Sequence, residues 1–221
     1  MRLYLATANP DAIRWALQSG VIDGVVATPR VLAEEVPQAD PLEILGELAP
    51  LTTLPIFASV GALSPTELIR GARALRRVAE QVIVAVPFVE EALPVFRRLQ
   101  QDGIRCAATF VHSAAQGLLA AKAGAAHVVI PVDALDAIDH PGESVIAPLR
   151  AMLDRASLEC DIVAAGPSSA LRLSAMGAAG ADAAVVTPAM LHALVQHPLT
   201  DRAVDRFVAD VARRARPRRA K

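Results

Sequence analysis

Eight short runs of β-branched and small apolar residues punctuate the chain: LYLAT (3–7), GVVAT (24–28), PIFASV (55–60), QVIVAVP (81–87), RCAATFV (105–111), HVVIPV (127–132), DIVAAG (161–166) and AAVVTP (183–188). None alternates cleanly between apolar and polar positions. Strands covered on both faces of a parallel sheet read this way. Segments of helical length lie between them with their own start and stop signals. Asn9-Pro10 leads to Gly20, Ser64-Pro65 with Glu67 makes a capping-box pattern, Ser113 leads to Gly124, and Ser168 or Ser169 leads to Gly177 or Gly180. A weak repeat, QSGVIDGVVAT, QDGIRCAAT, KAGAAHVVI and AAGADAAVV, closes a helix at a glycine each time and enters an apolar strand within a few residues. Strand and helix alternate, so the fold class is α/β. Eight strands in 221 residues, with a helix after most of them, predict a single-domain (β/α)8 TIM barrel. A doubly wound sheet is the runner-up, but the first turn, ATANPDA, has no Gly-x-Gly-x-x-Gly and no Gly-x-x-x-x-Gly-Lys occurs.

Composition narrows the function classes. With 53% hydrophobic residues and 22 basic against 23 acidic side chains, the chain is a folded domain with a large core rather than a disordered one. Aromatics at 3% disfavour stacking platforms for nucleic acid. The basic end, RRARPRRAK, has no basic stripe to accompany it and a net charge of −1 behind it, so it reads as a solvated tail without a nucleic-acid partner. Cys106 and Cys160 are isolated, with neither disulfide nor zinc spacing, which suits a reducing, cytoplasmic compartment. The N-terminus reaches a polar turn too soon for a signal or anchor, and GLLAAKAGAAHVVIPVDAL is interrupted by Lys122 and His127, so no membrane association is expected.

In such a barrel the chemistry sits at the C-terminal ends of the strands. Those ends carry Ala6 and Thr7, Thr28, Ser59, Ala85, Thr109, Pro131 with Asp133, Gly166 with Ser168, and Thr187. The set is poor in ionisable groups. His112 has the opposite strand parity to Thr109, and Ser113 beside it reads as a helix N-cap. Asp133, Asp136, Asp139 and His140 have a spacing compatible with metal ligands, but no second cluster completes the set and a solvated acidic turn is the expectation. Cys106 is expected to be a buried, inert thiol. Arg30, just past the second strand, is the candidate anion-binding group near the mouth, with an ion-paired state as the commoner alternative.

The same runs carry a family resemblance. LYLAT, GVVATPRVLAEE, IFASV, VIVAVP, DGIRCAATFVHSAAQGLLAAKAGAAHV and PLTDRAVDRF resemble the small transaldolases and fructose-6-phosphate aldolase, most densely from Thr109 to Ala125. The resemblance implies a Schiff base between a strand-4 lysine and a ketose, yet the position carries Ala85 in Val84-Ala85-Val86-Pro87. The family's strand-1 aspartate falls on Ala6, its strand-2 asparagine on Thr28, its strand-3 glutamine on Ser59 and its strand-6 aromatic hydroxyl on Pro131. Its phosphate-binding groups fall on Ala134, Gly166 and Ser168, and only Thr109 keeps its type. An imine requires an amine, and the two lysines of the chain, Lys122 and Lys221, lie on a helix and at the terminus.

Two functions therefore stay open. One is a family member without the aldol site, acting as a binding or structural subunit; the other is an enzyme for a carbohydrate or small molecule that uses a mechanism without lysine. No cofactor, no metal and no catalytic residue is assigned. The mouth should be roomier and more apolar than in active relatives unless Phe88, Phe110 or Arg30 folds in. After the barrel (1–198), a helix over 199–216 presents Val204, Phe207, Val208 and Val211 on one face, and a basic tail follows at 217–221. The resemblance implies that this helix packs on a neighbouring subunit, in rings of five that often pair into decamers; in the subunit reading the neighbour is a second copy or an active paralogue.

Overall fold

A computed structural model describes residues 1–215, so the basic tail lies outside the described residues. The eight strands are β1 (Arg2–Ala6), β2 (Gly24–Ala27), β3 (Ile56–Ser59), β4 (Val82–Pro87), β5 (Cys106–Thr109), β6 (His127–Pro131), β7 (Asp161–Ala165) and β8 (Ala183–Val186). Each pairs in parallel with the next, and β1 pairs with β8 to close the ring. The helices are α1 (Pro10–Ser19), α2 (Pro29–Glu35), α3 (Pro41–Leu48), α4 (Pro65–Val78), α5 (Leu93–Gln101), α6 (Ala114–Ala123), α7 (Val132–Asp136), α8 (Glu143–Arg155), α9 (Ala170–Ala178), α10 (Pro188–Val195) and α11 (Pro198–Ala215). The predicted (β/α)8 TIM barrel is the fold.

Two layers of core account for the unalternating strands. Tyr4, Val26, Phe57, Ile83, Ala107, Val163 and Ala183 pack inside the barrel, while the other strand face, including Leu5, Val25, Val84, Val86, Ile130 and Ala164, is buried beneath the helices. Both faces are largely buried, so both are mostly apolar. The repeat glycines act as read: Gly20, Gly103, Gly124 and Gly180 all have positive φ where a helix turns back to a strand.

Local differences have local causes. Ser64 does not cap the α4 backbone, because its hydroxyl donates to the Glu67 carboxylate at 2.6 Å instead. Ser169, not Ser168, caps α9 by accepting from the Arg172 N–H. Two helices, α2 and α3, fill the β2–β3 connection, each started by a proline at its first turn, with Asp40 capping α3 through the Leu42 N–H. No helix among the described residues is long and apolar enough to cross a membrane.

Candidate functional site

Alternate residues of each strand face inward. Beyond the packed interior, the next inward residues toward the C-terminal end are Ala6, Thr28, Ser59, Ala85, Thr109, Pro131, Ala165 and Val185. The register sets Ser59 beside Ala85 and Ala85 beside Ala107, and Pro131 beside Ala165. Ala6, Thr28, Ser59, Thr109, Pro131, Ala165 and Val185 are partly solvent-exposed, whereas their outward-facing neighbours on the same strands are buried. Solvent thus reaches these positions from within the barrel, which defines a recess at its C-terminal mouth. Ala85 lies deeper, 1% exposed. The lining is uncharged: small apolar groups with the hydroxyls of Thr28, Ser59 and Thr109. Gly166 and Ser168 stand at the rim, both exposed, where the chain leaves β7.

Charge stands over this recess, not inside it. Arg30, in the first turn of α2, lies 3.0 Å from Asp133 in the first turn of α7. Because β2 and β6 sit diametrically opposite in the ring, this ion pair crosses the mouth. Of the three side chains that could fill the mouth, Arg30 reaches across to Asp133 but keeps 76% of its side chain exposed, Phe110 is 63% exposed and Phe88 is half-buried. Glu34 approaches Arg30 at 3.5 Å, and the hydrogen bond that Arg30 donates to Asp133 is the first cause that raises the Arg30 pKa above its ordinary value. Asp133 is itself fixed: it accepts from the Ala134 N–H at 2.9 Å, and its carboxyl carbon would lie 2.8 Å from a Cβ added to Gly166.

A second carboxylate escapes sequence reasoning altogether. Glu35, at the end of α2, accepts from the Thr7 hydroxyl at 2.9 Å and from the Ala8 N–H at 2.7 Å, while the same hydroxyl accepts from the Asn9 N–H. Thr7 is fully buried and the loop after β1 is pinned. Glu35 and Thr7 are 28 residues apart, so no local pattern announces the pair.

The remaining candidates resolve into structural roles. Asp136 pairs with Arg172, which also holds Glu143 at 3.0 Å, and His140 is exposed. Among the described residues no three His, Cys, Asp or Glu side chains group as a metal requires. Ser113 caps α6 by accepting from the Gln116 N–H, and His112 is exposed. Cys106 and Cys160 are free and buried, and burial pushes each thiol up to about 12. Lys122 is exposed on α6, in the outer layer. Phe110 has φ 60, a left-handed backbone uncommon for a bulky residue, at the point where the chain leaves β5.

The opposite end of the barrel is closed by a polar group that the sequence did not flag. His127 Nε2 lies 3.2 Å from Asp161, and Arg2 reaches the other carboxylate oxygen at 2.6 Å. The bond from His127, reinforced by Arg2, draws Asp161 down to about 2. Phe57 packs edge-on against His127 and is tilted against Tyr4 at 5.0 Å. A cleft of about 620 Å³ opens beside this end, lined by Arg150, Asp154, Ser157 and Asp161.

The fold and mouth define a single-domain TIM barrel, and solved structures agree on the fold. A structure described as native KDPGal superposes with a TM-score of 0.56 at 20% identity, covering 83% of this chain and 80% of that one. A thiamine phosphate pyrophosphorylase from Pyrococcus furiosus gives 0.58 at 18%, covering 84% and 85%. Sequence narrows the class. The family model for transaldolase/fructose-6-phosphate aldolase matches residues 4–218. A probable transaldolase of Heliobacterium modesticaldum is 38% identical over 210 residues, covering 95% of this chain and 97% of its own. One of Hyphomonas neptunium is 35% identical over 211 residues, covering 95% and 96%. The chain belongs to the transaldolase/fructose-6-phosphate aldolase family.

Proposed function

We propose that this chain is a transaldolase-family barrel without Schiff-base aldol chemistry that serves as a binding or structural subunit. The observation that carries the reading is Ala85, a methyl group deep in the mouth between Ser59 and Ala107, where the family resemblance expects the amine. An imine cannot form on a methyl group, and Lys122 stands outside the barrel on α6. The neighbouring positions, Ala6, Thr28, Ser59 and Pro131, offer no acid or base to replace it. The nearby carboxylates are occupied, Glu35 by Thr7 and Ala8 and Asp133 by Arg30, which weighs against a new enzyme using a mechanism without lysine.

The supporting surface for the subunit role is α11. Its residues from Pro198 to Arg213 are all exposed, including Val204, Phe207, Val208 and Val211 at helical spacing. We place that stripe on a second copy, as a homo-oligomer of pentamer or decamer form, or on an active paralogue. The reducing cytosol suits its two free thiols.

Borohydride trapping tests the chemistry. With dihydroxyacetone, fructose 6-phosphate or sedoheptulose 7-phosphate present, the intact mass should not change. A reduced adduct mapping to a lysine overturns the proposal.

A further inference from the structure

Helix α6, AAQGLLAAKA, has Lys122 as its one charged residue and is apolar on its outer side as well as its inner one. A helix apolar all round belongs under cover. Its outer side carries Ala115 and Leu119, the latter 52% exposed, with Leu118 half-buried beside them. Helix α8 adds Pro148 and Met152, both exposed and in line with Arg155 at i, i+4 and i+7, on the flank away from Arg150, which turns to Asp182. Gly117 brings the two helices together against Leu149, so these side chains make one apolar face, which ends at Lys122 and Arg155 in the last turns.

The charge at that end is unanswered. Lys122 and Arg155 have no ion-pair partner among the described residues, Arg97 donates to the Lys122 carbonyl oxygen at 3.1 Å, and Asp154, the carboxylate of α8 at this end, is held by Arg150 at 2.7 Å. The end is therefore net positive. On α11, Asp201 and Asp205 also lack an ion-pair partner among the described residues. Helical spacing sets both on the border of the stripe formed by Val204, Phe207, Val208 and Val211, and sets Arg202 and Arg206 on the opposite side.

We infer that the α6–α8 face is the seat for the α11 of a second copy, with Asp201 and Asp205 against Lys122 and Arg155. The inference rests on the reading of α11 as a subunit contact and names the surface that it meets. The charges make α11 run antiparallel to α6 and α8, so its N-terminal end lies at their carbonyl ends and the helix dipoles align favourably. Lengths agree: the rise from Asp201 to Val211 is about 15 Å, which is also about the length of the ten-residue α6. The seat lies elsewhere on the barrel from the root of α11, since α10 packs beside β1 whereas α6 and α8 follow β5 and β6. No residue of α11 through Arg213 is buried on its own barrel. The contact is therefore heterologous, with the helix of one copy on the seat of the next, and it closes a ring when the rotation allows.

Light scattering on full-length chains tests the seat. The intact protein should be larger than a monomer. Leu119→Glu, which breaks the seat, and Phe207→Glu, which breaks the stripe, should each be monomeric while keeping the far-ultraviolet dichroism of the intact chain. Mixed in equal amounts, the two variants should form a dimer, because one retains α11 and the other retains the seat. Pairing of α11 with α11 predicts instead that Leu119→Glu assembles normally. Charge reversal gives a second reading that leaves the apolar packing in place and decides the matter if Leu119→Glu fails to fold. Lys122→Glu with Arg155→Glu should raise the dissociation constant at least tenfold, and adding Asp201→Arg with Asp205→Arg to that chain should restore most of the loss. An intact protein that is monomeric overturns both this inference and the homo-oligomer reading. An intact oligomer that Leu119→Glu or the charge reversal leaves unchanged, or a mixture of the two glutamate variants that stays monomeric, overturns the seat and leaves the subunit reading standing.

Discussion

Asp161 shows how much a single residue can carry. Its carboxyl sits near 2 in the folded chain because His127 and Arg2 hold the anion, against about 3.9 in an unfolded one. A depressed acid stabilises the fold above its unfolded pKa, and that contribution is lost as pH falls from about 4 toward 2. Asp161→Asn should therefore cost about 1–2 kcal/mol at pH 7, allowing for solvent screening of a carboxylate that is 30% exposed. Urea midpoints of the two proteins should converge as pH approaches 2; a gap that stays constant with pH means the charge is not the cause. Ala85→Lys belongs to the same scale. The amine alone should restore negligible aldol turnover, because groups that act as a unit are strongly non-additive and Ala6 and Thr28 supply no proton transfer or donor orientation. Aldol activity near that of active relatives in this variant contradicts the reading of the mouth. The strand ends, together with the family resemblance, made the positions Ala6, Thr28, Ser59, Ala85, Thr109 and Pro131 legible in the sequence. Arg30 with Asp133 was not legible as a pair, since 103 residues separate them and only ring closure brings β2 opposite β6.

Among the elements, α6 and α8 meet most tightly at Gly117. A Cβ there would fall 2.5 Å from a methyl of Leu149, so any larger residue at this position requires the buried Leu149 side chain to move. Gly117→Ala gains helix propensity but forces Leu149 from its place, for a net loss of roughly 1–3 kcal/mol. Thermal unfolding reads the sign directly, and Leu149→Ala in the same chain should recover part of it by making room. Helix ends were the legible part of this scale: Asn9, Ser113 and Ser169 cap as their side-chain chemistry dictates, and Gly20 and Gly124 turn left-handed at φ 66 and φ 109. The helix pair between β2 and β3 was harder to see. Short helices bury few residues each, Leu32 in α2 and Ile44, Leu45 and Leu48 in α3, and so leave little periodic pattern.

At the scale of the whole molecule, the barrel is self-sufficient and α11 is not. The strands end at Val186, and α11 begins at Pro198 with no residue through Arg213 buried. Removing everything from Asp201 should leave a folded barrel, seen as retained far-ultraviolet dichroism and cooperative melting, while light scattering shows a smaller particle than the intact chain. An intact protein that is monomeric at every concentration tested removes the homo-oligomer form of the subunit proposal. The barrel itself was legible because eight doubly buried strands announce themselves by composition. The partner of α11 was not, because one chain's sequence shows an apolar stripe but not the surface that covers it. Closure of the sheet between β1 and β8 also has a temporal side. Arg2 to Leu5 pair with Ala183 to Val186, the first strand with the last. At translation speeds of about 5–20 residues per second, β1 leaves the ribosome roughly ten to thirty seconds before its second neighbour exists. Through that interval its open edge is a site where a foreign strand can dock. Nascent copies on one messenger are the nearest source of such strands, so the pace of synthesis and the crowding of ribosomes bear on yield as directly as any core residue does.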